Sequence, residues 1–193
     1  MSTSEATKTK LTTKLVRFSY AALFEPKEGP NGGKAKYSLS IIIPKSDTVT
    51  LGLIKAAIAE AEKEGIAGKW EGKKPKTYKD LPLRDGDETD DPAYANSYYI
   101  NAKNDKKPVV IGMDRDEKNN FKEITNPDDV YSGCYGRVNI TAYHFNANGN
   151  KGIAWSLNSV QKMKDGEPLG GGRTNANEDF AEELEIDDED MYN

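Results

Sequence analysis

The chain has 193 residues, 36% of them hydrophobic, with 27 basic and 32 acidic side chains and a formal charge of -5. That length suits one domain plus tails and leaves no room for a large two-domain enzyme. One cysteine, Cys134, excludes an intrachain disulfide framework and fits a reducing compartment, and no apolar run approaches a membrane span.

Residues 1–11 carry no apolar segment of the signal-peptide kind and are expected to be disordered. From Thr12 to Phe24 the pattern alternates. Val16, Phe18 and Tyr20 share one parity, Arg17 and Ser19 the other, which predicts a half-buried strand. Glu25 to Lys34 is a turn-rich loop whose Gly32-Gly33 can take positive φ. A second strand covers Ala35 to Ile43, with Tyr37, Leu39, Ile41 and Ile43 on one face and Pro44 ending it. Asp47 or Thr48 caps a helix to about Glu64, with Leu51, Ile54, Ile58 and Ala61 at helical spacing and Gly65 as its stop.

Residues 68–97 form a long loop insertion, basic first (Lys69, Lys73, Lys74, Lys76, Lys79) and then acidic (Asp85, Asp87, Glu88, Asp90, Asp91). Short strands are expected at Tyr98–Ala102 and Val109–Met113. After the break at Asn126-Pro127, two long strands cover Gly133–Phe145 and Gly152–Lys162, joined through the hairpin signal Asn148-Gly149. Residues 12–169 thus form one domain, and 170–193 a flexible glycine linker and acidic tail. The tail run from Glu178 to Asp190 holds nine carboxylates and no base, leaving 27 basic against 23 acidic side chains in residues 1–177. Six strand candidates, one helix and no strand–helix alternation predict a mainly β fold. An OB-fold-like five-stranded barrel with one helix and extra hairpins and loops fits the count, with a sandwich or another small barrel still open.

The strand CYGRVNITAYHF carries the clearest binding pattern. Val138, Ile140 and Ala142 face one way, while Tyr135, Arg137, Asn139, Thr141, Tyr143 and Phe145 face the other. Rings interspersed with a guanidinium suit unstacked bases, because every base offers a π-face. Tyr135, Arg137, Tyr143 and Phe145 are therefore candidate nucleic-acid contacts. Lys73, Lys74, Lys76, Lys79, Arg17 and Lys36 are candidate phosphate contacts, each of which a solvated surface residue would also explain. Trp155 reads as core. In the tail, Phe180 and Leu184 stand four apart beside Asp187, Asp188, Glu189 and Asp190, a candidate docking handle for a protein partner.

Catalytic patterns are missing. His144 is the single histidine and sits in phase with Ile140, zinc ligand clusters are unavailable, and no phosphate-binding GxxxxGK[ST] loop occurs. The run from Asp114 departs from a calcium loop, with Lys118 at the fifth position and Asn119 at the glycine position. No cofactor, metal or enzymatic activity is expected.

The segments RFSYAALFEP, KYSLSIIIPK with its helix, GCYGRVNITAYHF and GIAWSLNSVQKMKDGEPLGGG, followed by the acidic end, resemble the phage-derived single-stranded DNA-binding proteins. The resemblance implies an OB-like fold, sequence-tolerant binding of single-stranded DNA in phage replication or recombination, and a place in the cytoplasm of the infected bacterial host. The tail resembles the acidic C-termini of bacterial and phage single-strand-binding proteins, which recruit replication partners and compete with DNA. This chain ends Met191-Tyr192-Asn193, with Asn after the ring. A protein-interaction adaptor or DNA-mimic inhibitor without DNA binding is the alternative, and a nuclease using DGDETDD is a third reading.

Overall fold

The computed structural model describes residues 8–170. Within them the chain runs through β1 (Lys10–Thr12), β2 (Val16–Lys27), β3 (Lys36–Pro44), α1 (Thr48–Ala67), β4 (Arg84–Asp85), β5 (Ser97–Asn104), β6 (Val109–Arg115), β7 (Phe121–Glu123), β8 (Tyr135–Ala147) and β9 (Asn150–Lys164). The fold is mainly β with one α-helix among the described residues and a mixed sheet. β2 pairs antiparallel with β3, β3 with β5, and β8 with both β2 and β9, while β9 runs parallel to β5 and β6.

Alternation builds the core. On β8, Val138, Ile140 and Ala142 turn inward as their parity predicts, joined by Phe18, Leu39, Ile41 and Ile43 from β2 and β3 and by Trp155 and Leu157 from β9. The helix contributes Leu51, Ile54, Ala57 and Ala61. Asp47 caps it by accepting from the Thr50 amide at 2.9 Å, and Thr50 Oγ1 accepts the Lys14 amide at 3.0 Å, tying the helix start to the turn before β2.

The structure departs from the sequence pattern in four places. Strand β1 lies partly in the stretch expected to be disordered: Leu11 enters the core and Lys10–Thr12 pair with Asn139–Thr141 of β8. Tyr20, placed on the core face by parity, is 73% exposed. Its φ of 45° lies between the register points Ser19 and Ala22, where the β2–β3 ladder slips. A bulge there exchanges the faces, which alternation alone does not reveal. Gly65 does not end α1. The helix continues to Ala67, and a Cβ at Gly65 would stand 2.7 Å from the ring of Trp70, so glycine makes room for that indole.

The fourth departure is the 68–97 insertion, which is anchored along its length. Trp70 is fully buried and donates its indole N–H to the Phe145 carbonyl at 2.9 Å, while Trp155 donates to the Pro82 carbonyl at 2.8 Å. Further along, Lys45 at the end of β3 pairs with Asp85 at 2.7 Å and Asp87 at 2.6 Å, and its hydrogen bonds hold both carboxyls below the usual carboxylate range. Asp87 in turn accepts the Asn96 amide at 2.7 Å. Of the acids of DGDETDD, Asp85 and Asp91 thus cap turns, and Asp85 and Asp87 hold the insertion to Lys45. No group of three or more His, Cys, Asp or Glu that could hold a metal occurs among the described residues.

Candidate nucleic-acid interface

Alternation on β3 and β5 builds a second face opposite the core. On β5, Ile100 and Ala102 turn inward, while Tyr99, Asn101 and Lys103 turn out. The register sets Ser38 beside Lys103, Ser40 beside Asn101 and Ile42 beside Tyr99. The β2–β3 loop with Gly29, Pro30, Gly32 and Gly33 rises along one side, and Arg84, Thr89, Asp91 and Tyr94 of the insertion along the other, enclosing a cleft of about 970 Å³. Gly32 and Gly33 hold φ values of 76° and 103°, backbone that side chains other than glycine rarely adopt.

The cleft is electropositive at its edges. Lys27, Lys34, Lys36, Arg84 and Lys103 line it, against the carboxylates of Glu28 and Asp91. It also holds rings. The Tyr94 ring is buried, its hydroxyl lies 3.1 Å from Ser40 Oγ, and burial pushes its phenol above the ordinary value. Tyr99 stands edge-on to it, with centroids 4.9 Å apart and planes at 76°, so the buried ring fixes the half-exposed one. Tyr20 projects from the bulge into the same space. A phosphate chain can follow the ammonium groups while bases lie against the phenols.

Of the residues singled out in the sequence, Lys36 lines this cleft; Tyr135, Arg137, Tyr143, Phe145, Arg17 and the lysines at 73, 74, 76 and 79 do not. The β8 candidates do share the outward face that parity assigns them, but several are engaged. Arg17 donates to the Gly133 carbonyl at 3.2 Å and the Glu167 carbonyl at 2.9 Å, with its guanidinium 5.4 Å from the Tyr135 ring centroid. That ring also packs against Gly166, where a Cβ would come within 2.6 Å. Arg137 donates to the Thr13 carbonyl at 3.1 Å. Phe145 packs on Gly152, where a Cβ would meet its ring at 2.6 Å. Tyr143 is 44% exposed, and burial, with Asp105 adding to it, raises its phenol.

Lys74 pairs with Glu62 of α1 at 2.8 Å, and Lys73, Lys76 and Lys79 are exposed on the insertion. His144 stands edge-on to Trp70 at 6.2 Å, in keeping with a packed rather than reactive role. Arg115 stacks 3.8 Å from the Phe121 centroid and donates to the Asn119 carbonyl at 2.7 Å, within a hairpin whose turn Asp116 caps. The tail candidates Phe180, Leu184, Asp187, Asp188, Glu189 and Asp190 lie outside the described residues.

The sequence reading missed Tyr20, Tyr99, Lys27, Lys34, Lys103 and Arg84 as cleft residues. A signal existed for some of them, since Tyr99, Asn101 and Lys103 alternate with Ile100 and Ala102 as clearly as the β8 residues do.

Comparison with known proteins gives the same frame. The model of the family described as "Enterobacter phage Enc34, ssDNA-binding protein" matches residues 9–192. A curated relative, protein p50 of Acyrthosiphon pisum secondary endosymbiont phage 1, is 36% identical over 185 residues, covering 89% of this chain and 95% of its own. The structure of the single-stranded DNA-binding protein from bacteriophage Enc34 in complex with ssDNA superposes with a TM-score of 0.70 at 28% identity, covering 84% of this chain and 90% of that one. In fold alone, the chain is also similar to gp2.5, a single-stranded DNA binding protein encoded by bacteriophage T7, at a TM-score of 0.57 and 19% identity over 91% of this chain and 94% of the other. A family match across nearly the whole length, with a relative above 30% identity, settles membership: the chain belongs to the Enterobacter phage Enc34 ssDNA-binding protein family.

Proposed function

We propose that this protein binds single-stranded DNA without marked sequence preference in the β3–β5 cleft, coating it during phage replication or recombination. The observation that carries the reading is the coincidence of two facts. The chain shares its fold, at 28% identity over the 84% of its length that is covered, with a phage protein solved with ssDNA, and its β3–β5 cleft joins three tyrosines to five basic side chains. It acts as a binding protein, without turnover. The five pairings among β2, β3, β5, β8 and β9 support reading the body as an OB-type barrel, a fold that lays oligonucleotides across its second and third strands. In this body those strands are β3 and β5.

In this reading Lys27, Lys34, Lys36 and Lys103 follow the phosphates, Tyr99 and Tyr20 stack on bases, and the tail's nine carboxylates vie for the lysines and offer a handle to replication proteins. The outward β8 residues Tyr135, Arg137 and Tyr143 form a second, less open candidate surface.

Anisotropy titration of a labelled dT oligomer tests the proposal. The wild-type protein should bind, and affinity should fall with salt at a log–log slope of about -0.7 per phosphate neutralised. Lys103→Ala and Tyr99→Ala should each weaken binding while leaving the thermal midpoint in place. Affinity lost instead through Arg137→Ala and Tyr143→Ala, with the cleft variants silent, would move the interface to β8. No binding at low salt would favour the adaptor reading.

A further inference from the structure

Asp105 stands where cations gather. The β5–β6 turn places it after Lys103 and before Lys106 and Lys107, and the register brings the start of β3 alongside. Its carboxylate lies 3.3 Å from the Lys34 ammonium and 3.7 Å from that of Lys36, two groups that line the cleft. Its charge also reaches the Tyr143 phenol, which burial and then Asp105 raise. The Asp105 side chain is half-exposed, Lys34 is largely exposed and Lys36 nearly half-exposed. The turn's internal hydrogen bond is made by its neighbour, Asn104 Oδ1 accepting the Lys106 amide at 3.0 Å.

We infer that Asp105 is a resident counter-ion of the DNA cleft, holding Lys34 and Lys36 in the free protein and yielding them to phosphates when a strand enters. The inference rests on the cleft reading above. Solvent-exposed ion pairs at such distances contribute little, so phosphates displace the carboxylate readily. The displaced carboxylate is left beside the incoming backbone, where it repels phosphate and draws a solution cation. Asp105 thus holds affinity below what the lysines alone would reach.

The test is Asp105→Asn in the full chain, with Asp105→Glu as the conservative control. Without the carboxylate, dT-oligomer affinity at low salt should rise by about three- to tenfold, and the salt slope should steepen because no cation is taken up on binding. Asp105→Glu should behave as wild type. A merely structural aspartate would give unchanged or weaker binding with an unchanged slope, and that result overturns the inference. Lys103→Ala separates the two levels. If it weakens binding while Asp105→Asn does not tighten it, the cleft stands and the counter-ion role falls. If Lys103→Ala leaves binding untouched, both fall together.

Discussion

Tyr20 combines strain and exposure at one residue. A left-handed backbone costs an L-residue roughly 1–2 kcal/mol, and this one presents its ring to solvent instead of repaying the cost by burial. Tyr20→Gly would relieve that strain but loosen the unfolded chain, so stability should change by less than about 1 kcal/mol in a urea melt. If the ring stacks on a base, affinity for a dT oligomer should nevertheless fall by about 1–3 kcal/mol. Unchanged affinity would make the bulge a device of sheet curvature alone. Tyr99 differs because its neighbour Tyr94 is locked by burial and by Ser40, so its ring is held in place before any base arrives.

Among the elements, β8 and β9 are the long antiparallel pair on which the sheet is assembled, and Gly136 is their tightest point. A Cβ there would overlap the Gln161 carbonyl and come within 2.7 Å of the Phe18 ring. Gly136→Ala should therefore destabilise the protein by about 3 kcal/mol or more, read as a lower urea midpoint; a midpoint within error of wild type would mean the sheet yields locally. Period-two alternation made β3, β8 and β9 legible, because each buries one row of aliphatics against a continuous core. It did not reveal the turn of Tyr20, since a bulge adds one residue without altering composition. Nor did it reveal the cleft, whose walls come from β2, β3, β5 and the insertion and meet only in three dimensions. The insertion itself looked unstructured because its anchors are two indole N–H groups and a lysine reaching distant backbone and carboxylates, contacts with no local period.

For the molecule as a whole, charge is divided along the chain. The body through residue 177 is mildly basic, and the nine acids from Glu178 to Asp190 reverse the sign of the total. A tethered polyanion remains at high effective concentration however dilute the protein, so in the proposed reading it would compete with DNA even where free anions do not. Truncation after Gly172 should tighten ssDNA binding and reduce retention of host or phage replication proteins in a pull-down. Equal or weaker binding by the truncated chain would show that the acids act elsewhere than on the cleft.

The two indoles that pin the insertion, Trp70 and Trp155, are the chain's full complement of tryptophan, and neither borders the cleft, whose rings are all phenols. Intrinsic emission therefore splits by residue type. The long-wavelength signal reports whether the 68–97 segment stays fastened to the sheet, away from the three of the chain's ten tyrosines that line the cleft. An untagged sample thus carries an optical readout of the insertion's anchorage that needs no added label.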